Sequence, residues 1–125
     1  SFSNTDYLRR TYAISALSIS NGHLYAIMWA PGGDSYVGNI WHSADGKNWN
    51  PNSPGPVNSM AFSPSGRLGV AFDSNTSQVY LSRSSGAFWQ IEQLTDVQPL
   101  AVAIPSDNVA YIFSNNGVLW KFTNN

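Results

Sequence analysis

The chain contains no cysteine. A disulfide framework, a thiolate zinc site and a cysteine nucleophile are therefore excluded. Histidine is nearly as scarce, with only His23 and His42. That leaves little for transition-metal ligation, and no metal or other cofactor is expected. Charge is sparse too: 10% of residues are charged, and six basic against seven acidic groups give a formal net charge of −1. A protein that neutralises phosphates needs a basic surface, so nucleic acid is not an expected partner. No apolar run approaches the roughly 20 residues of a membrane-spanning helix, so membrane insertion is not expected either. No signal peptide is visible, and Ser1 stands where an initiator Met would, which reads as a processed chain or a piece of something longer.

What is present is a single-domain length of 125 residues rich in aromatics, with five Trp, six Tyr and six Phe. That apolar area offsets chain entropy and argues against disorder. With few ionic side chains, Ser, Asn, Thr, Gln and Gly must cover the surface, which favours neutral polar partners. The same composition suits a secreted, cell-surface or virion-associated protein.

Helical periodicity is missing, and short β-branched and aromatic runs alternate with turn dipeptides. Ala13–Ser20 reads as a strand, followed by the hairpin signal Asn21-Gly22 and a second strand over His23–Trp29. Pro31-Gly32-Gly33-Asp34 breaks it, Asn39–Ser43 is a third strand, and a short fourth surrounds Trp49.

The pattern then recurs. Leu17, Met60 and Val102 open similar four-residue runs, spaced by 43 and 42 residues. Each precedes a turn and an apolar strand: Leu24–Met28, Leu68–Phe72 and Val109–Phe113. Third strands follow as Ile40-Trp41, Tyr80-Leu81 and Leu119-Trp120, and Trp49 and Trp89 are 40 apart. Four strands in about 40–45 residues is the size of a β-propeller blade. The expected fold is therefore all-β, one propeller domain of about three four-stranded blades. Their expected limits are about 13–50, 57–94 and 98–123, the last completed by residues 2–8 of the same or a neighbouring chain. Three blades cannot close a ring. Closure by a dimer of three-bladed chains is favoured here over membership of a larger propeller.

Ser43-Ala44-Asp45-Gly46-Lys47-Asn48-Trp49 resembles the Asp-box, the bacterial neuraminidase repeat, in its short form S-x-D-G-x-x-W. A degraded copy, Ser84-Ser85-Gly86-Ala87-Phe88-Trp89, keeps Gly86 and Trp89 and is read with Ser85 where Asp45 stands. In that turn an Asp accepts backbone N–H groups, a Gly takes positive φ and a Trp packs beneath. The resemblance implies that Asp45, Gly46, Trp49, Gly86 and Trp89 are structural, on the rim away from the ligand face. It also implies a lectin-like, non-catalytic propeller. A sialidase of this kind would need three clamping arginines, a Tyr nucleophile with a Glu helper and an acid. The single Glu92 and the placement of Arg67 and Arg83 do not supply them, so no catalytic residue is assigned.

Comparing the units separates packing from site. Trp41, Leu81 and Trp120 are read as one core position, and Met28, Phe72 and Phe113 as one core layer. His42 aligns with Ser82, and no role is read into His23. Trp29 stands where Asp73 and Ser114 stand, so an inter-blade contact or a ligand contact must explain it. With Asp34, Tyr36 and the Asn50–Pro56 linker it is expected on one face, opposite the Asp45 turn. A Trp beside carboxylates and amides suits a neutral sugar, stacking on its C–H face while polar groups take its hydroxyls. The candidate ligand-binding set is Trp29, Asp34, Tyr36, His42, Asn50, Asn52, Asp73 and Gln78, with a neutral glycan or glycoprotein receptor as the partner. The alternatives are a structural module of a phage or surface appendage, or a fragment of a larger Asp-box glycoside hydrolase.

Overall fold

The computed structural model describes residues 13–20, 22–29, 38–52 and 54–123. Among them there is no helix. Eleven strands form three antiparallel sheets. Sheet 1 holds β1 (Ala13–Ser20), β2 (His23–Trp29), β3 (Asn39–Ser43) and β4 (Asn50–Pro51) in sequential order. Sheet 2 repeats this with β5 (Ser59–Phe62), β6 (Gly69–Phe72), β7 (Gln78–Ser82) and β8 (Gln90–Gln93). Sheet 3 has β9 (Pro99–Ser106), β10 (Val109–Ser114) and β11 (Leu119–Thr123). Residues 2–8, expected to complete this sheet, lie outside the described residues.

Each sheet is a meander because every connection is short enough for a hairpin. β4 is only two residues long, paired through Trp41↔Pro51 and His42↔Asn50; Pro51 sits between hydrogen-bonding positions, and one further backbone bond follows it, from Asn52 N–H to the Ile40 carbonyl at 2.8 Å. The chain then crosses to sheet 2 after a last bridge between Gly38 and Val57. The first strands adjoin one another, β1 beside β5 and β5 beside β9, so the sheets are arrayed around a common side like blades. The architecture is a partial β-propeller.

Burial follows from that stacking. All four residues of β6 are buried, because sheet 2 is covered on both faces. Its Ala71 and Tyr80 meet Tyr25, Ile27 and Ile40 of sheet 1, with Phe62 and Trp89 against them. Its Val70, Phe72, Val79 and Leu81 meet Ile104, Ala110 and Ile112 of sheet 3, with Trp120 and Phe122 alongside. In β11 exposed and half-buried residues alternate, the signature of a sheet covered on one face.

The cross-strand register corrects two equivalences. Tyr25↔His42 and Ile27↔Ile40 project toward sheet 2, so Trp41 and Met28 project the other way. Leu81 projects toward sheet 3, where Trp120 meets it from the opposite side. Trp41, Leu81 and Trp120 are therefore not one position, and Met28 does not share a layer with Phe72. Phe113 is not core at all, being exposed.

Candidate functional site

The Ser43–Trp49 turn is held by its own side chains. Asp45 Oδ1 accepts the backbone N–H groups of Lys47 (2.8 Å) and Asn48 (2.9 Å), and Oδ2 accepts Asn48 Nδ2 (2.8 Å). Ser43 Oγ accepts Gly46 N–H at 2.8 Å and donates to Asp45 Oδ1 at 3.1 Å. Gly46 has φ 79°, and Trp49 Nε1 donates to its carbonyl at 3.2 Å. The N–H groups of Asn48 and Lys47 and the Asn48 amide hold the Asp45 carboxyl well below the usual carboxylate range. Engaged in this way, Asp45 staples the turn.

The second turn uses the same device with one extra residue. Ser82 Oγ accepts Gly86 N–H at 2.9 Å, as Ser43 does for Gly46. Ser84 Oγ accepts Phe88 N–H at 2.9 Å, so Ser84 and not Ser85 takes the place of Asp45. Ser85 is the inserted residue, at φ 58°. The Gly86 carbonyl accepts Asn52 Nδ2 from sheet 1, and Trp89 Nε1 is buried without a partner among the described residues.

A third version went unread in the sequence. Ser114, Asn116, Gly117 and Trp120 have the spacing of Ser43, Asp45, Gly46 and Trp49. Ser114 Oγ donates to Asn116 Oδ1, which accepts Val118 N–H at 3.1 Å, and Trp120 Nε1 donates to Ser114 Oγ at 3.3 Å. This turn joins the second and third strands of its sheet, whereas Ser43–Trp49 joins the third and fourth.

The structure divides the candidate set between the two ends of the sheets. Trp29 closes β2, paired with Ala13, at the end away from the Asp45 turn. Asp73 and Gln78 flank the corresponding connection of sheet 2. There Asp73 Oδ1 accepts Asn75 N–H at 2.9 Å, and Asn58 clamps Ser74 through bonds of 2.7 and 3.1 Å. Gln98 and Asn115 repeat this clamp in sheet 3, at 3.0 and 3.1 Å. His42 and Asn50 pair with each other beside Ser43, at the opposite end. The expectation that Asn50 and Asn52 join Trp29 opposite the Asp45 turn is thus corrected. β4 runs back from that turn, and Asn52 reaches the matching turn of sheet 2. Asp34 and Tyr36 lie outside the described residues.

His42 and Asn52 do meet, in a groove of about 360 Å³ where sheets 1 and 2 adjoin. His23, Tyr25, Ser84, Ser85 and Ala87 complete its lining, with no carboxylate among them. The His42 ring lies 5.9 Å from the Tyr25 ring and 6.3 Å from the His23 ring, centroid to centroid. The Tyr25 hydroxyl donates to the Ser85 carbonyl at 2.6 Å across the groove floor. Sequence reasoning missed His23, Tyr25, Ser84, Ser85 and Ala87. The available signal was strand alternation, which sets His23 and Tyr25 on one face of β2. A second cavity, about 290 Å³, is mostly apolar and lies between sheets 2 and 3. Among the described residues no cluster of three or more His, Cys, Asp or Glu could hold a metal ion.

No protein-family model matches the sequence, and no curated protein matches it. Among solved structures the chain is similar to YCF48 from Cyanidioschyzon merolae, a β-propeller protein, at 15% sequence identity and a TM-score of 0.51. The likeness covers 89% of this chain and 51% of that one, so the chain spans about half the length of the propeller it matches. At that identity the likeness establishes the propeller-like fold alone.

Proposed function

We propose that this chain is a non-catalytic, lectin-like propeller module that binds neutral sugars, free or on a glycoprotein receptor, in the groove between sheets 1 and 2. The observation that carries the reading is the composition of that groove. Imidazole and phenol rings line it from sheet 1, and the Asn52 amide and the Ser84 and Ser85 turn add polar groups. A pyranose presents both an apolar C–H surface and a belt of hydroxyls, so it needs this mixture. A lining without carboxylates favours a neutral ligand over a cationic one. Membership of the Asp-box group belongs to the same reading, supported by the serine-anchored turns at Ser43 and Ser82. So does a location outside the cytoplasm. Contacts of this kind are individually weak and gain strength when sites are repeated.

The test is a glycan array followed by NMR titration of the His23 and His42 ring resonances with neutral monosaccharides. Saturable shifts at millimolar sugar, lost in His42→Ala, are expected. Absence of any shift, or binding that survives His42→Ala unchanged, sinks the reading. A second reading, a structural module that packs into a larger assembly, is favoured by one observation: the uncovered apolar face of sheet 3.

A further inference from the structure

Asn116 takes, in the turn of sheet 3, the place that Asp45 takes in sheet 1, and Gly117 follows it as Gly46 follows Asp45. The two side chains make matching bonds. Asp45 Oδ1 accepts the N–H two residues on, from Lys47 at 2.8 Å, and the Ser43 hydroxyl at 3.1 Å. Asn116 Oδ1 accepts the N–H two residues on, from Val118 at 3.1 Å, and the Ser114 hydroxyl at 2.5 Å. The glycines have φ 79° and 84°. One atom differs. Where Asp45 has a second oxygen, Asn116 has an amide nitrogen, which has no hydrogen-bond partner among the described residues.

The turn favours exchange of that nitrogen for oxygen. Asparagine is a thermolabile residue, and both Asn116 and Gly117 are exposed. Gly117 has no side chain to crowd its backbone nitrogen, and an added Cβ would meet nothing within 4 Å. That nitrogen is held by a 3.1 Å bond to the Ser114 carbonyl, which local opening of an exposed turn releases. The two donors on Oδ1 polarise the Asn116 carbonyl and would stabilise the oxyanion formed when a nucleophile adds to Cγ.

We infer that Asn116 is a site of self-modification, deamidating to aspartate and so completing a Ser-x-Asp-Gly-x-x-Trp turn from Ser114 to Trp120. The Gly117 nitrogen bonds to Asn116 Cγ, and the side-chain nitrogen leaves as ammonia with the proton that Gly117 gives up. A cyclic imide results. Water then opens it: breaking the bond from Cγ to the Gly117 nitrogen restores the backbone and leaves an aspartate side chain. Breaking the other carbonyl–nitrogen bond leaves isoaspartate. One water is consumed and one ammonia released, with no change of oxidation state. The aspartate form has its precedent in the Asp45 turn, where a carboxylate sits on the same kinds of donor. It also gains a bond. The single Ser114 hydroxyl proton lies between Asn116 Oδ1 and the Val118 carbonyl, 2.9 Å away, and a carboxylate is the stronger acceptor. The inference does not depend on sugar binding.

Incubation of the folded protein in mildly alkaline heavy-oxygen water, followed by tryptic peptide mapping over time, tests it. Asn115 is the internal reference. It is exposed as well, but its amide donates to Gln98 Oε1 at 3.0 Å, its Oδ1 accepts Gln98 N–H at 3.1 Å, and no glycine follows it. Cleavage after Arg83 and Lys121 leaves both asparagines in one peptide, where fragmentation separates them, while the other Asn-Gly pair, Asn21-Gly22, falls in a different peptide. Acid carrying one heavy oxygen is expected at position 116 at least about tenfold faster than at 115. Asn116→Gln, whose longer side chain closes the imide poorly, is expected to stay unmodified there. Asn116→Asp supplies the product directly and is expected to melt above the native protein at neutral pH. An Asn116 amide that lasts as long as that of Asn115 overturns the inference. So does a product that is isoaspartate alone, or an Asn116→Asp variant that melts below the native protein, since neither completes the turn.

Discussion

The Tyr25 hydroxyl of sheet 1 donates a 2.6 Å hydrogen bond to the Ser85 carbonyl, at the apex of the sheet 2 turn. The same ring lies against Gly86, where an added Cβ would come within 2.8 Å of it. Asn52 reaches the Gly86 carbonyl from the other side. Local turn chemistry and inter-sheet packing are thus fastened at one point, which also forms the floor of the groove. Perturbing the turn therefore perturbs the seam.

Gly86→Ala meets two penalties. At φ 87° a Cβ is strained, and the Tyr25 ring must move to admit it. A loss of about 2–4 kcal/mol in urea unfolding is expected. Gly22→Ala separates the two effects, because Gly22 has φ 78° but nothing within 4 Å of the added atom. It should cost only about 1–2 kcal/mol. Equal losses in both variants would show that the Tyr25 contact is not felt.

Tyr25→Phe leaves the Ser85 carbonyl without this donor and is expected to cost about 1 kcal/mol at neutral pH. Burial pushes the Tyr25 phenol above its ordinary value of 10.0. A raised folded-state value stabilises the protein fully below the unfolded pKa, and that contribution is lost as pH rises through the folded one. The gap between the native protein and Tyr25→Phe should therefore narrow in unfolding measured above about pH 10. A gap that stays constant into alkali would contradict the seam environment described for this ring.

The strands were legible because alternation and Asn-Gly punctuation act locally: Ala13–Ser20, His23–Trp29 and Asn39–Ser43 are read with their observed limits. The Asp45 turn was legible for the same reason, since every bond in it spans three residues or fewer. Facing was not. A slip of one residue reverses a strand's faces, and unequal second-to-third connections made Leu81 look equivalent to Trp41. Nor was the role of Ser84, because a non-glycine residue at φ 58° (Ser85) leaves no mark in the letters. The groove depends on Asn52 meeting Gly86 across 34 residues, a tertiary fact with no local signal.

Acid should remove the stability that the Asp45 carboxylate gives its turn. Its carboxylate is held below the usual range by the Asn48 and Lys47 N–H groups. A depressed folded-state value gives stability that is complete above the unfolded pKa of about 4 and is lost as pH falls toward the folded one. The native protein should show a falling melting temperature between about pH 4 and pH 2. Asp45→Asn should melt lower than the native protein at pH 7 and decline less over that interval. Parallel curves would show that the carboxylate charge contributes nothing to the turn.

Sheets 2 and 3 share a second fastening. Asp107, in the β9–β10 turn, accepts the Ser63 hydroxyl at 2.6 Å and the Ser65 hydroxyl as well, and Arg67 lies close enough to add attraction. Those hydroxyls, more than Arg67, lower the Asp107 carboxyl from its ordinary value. Ser63 Oγ also accepts Leu68 N–H at 3.1 Å, so one hydroxyl orders the β5–β6 turn and ties it to the neighbouring sheet. Asp107→Ala and Ser63→Ala should each lower the melting temperature. Combined, they should lower it by less than the sum of their separate effects, because each removes the same bond. Strict additivity would mean that the two hairpins touch without being coupled, and the seam would then rest on its apolar cluster alone.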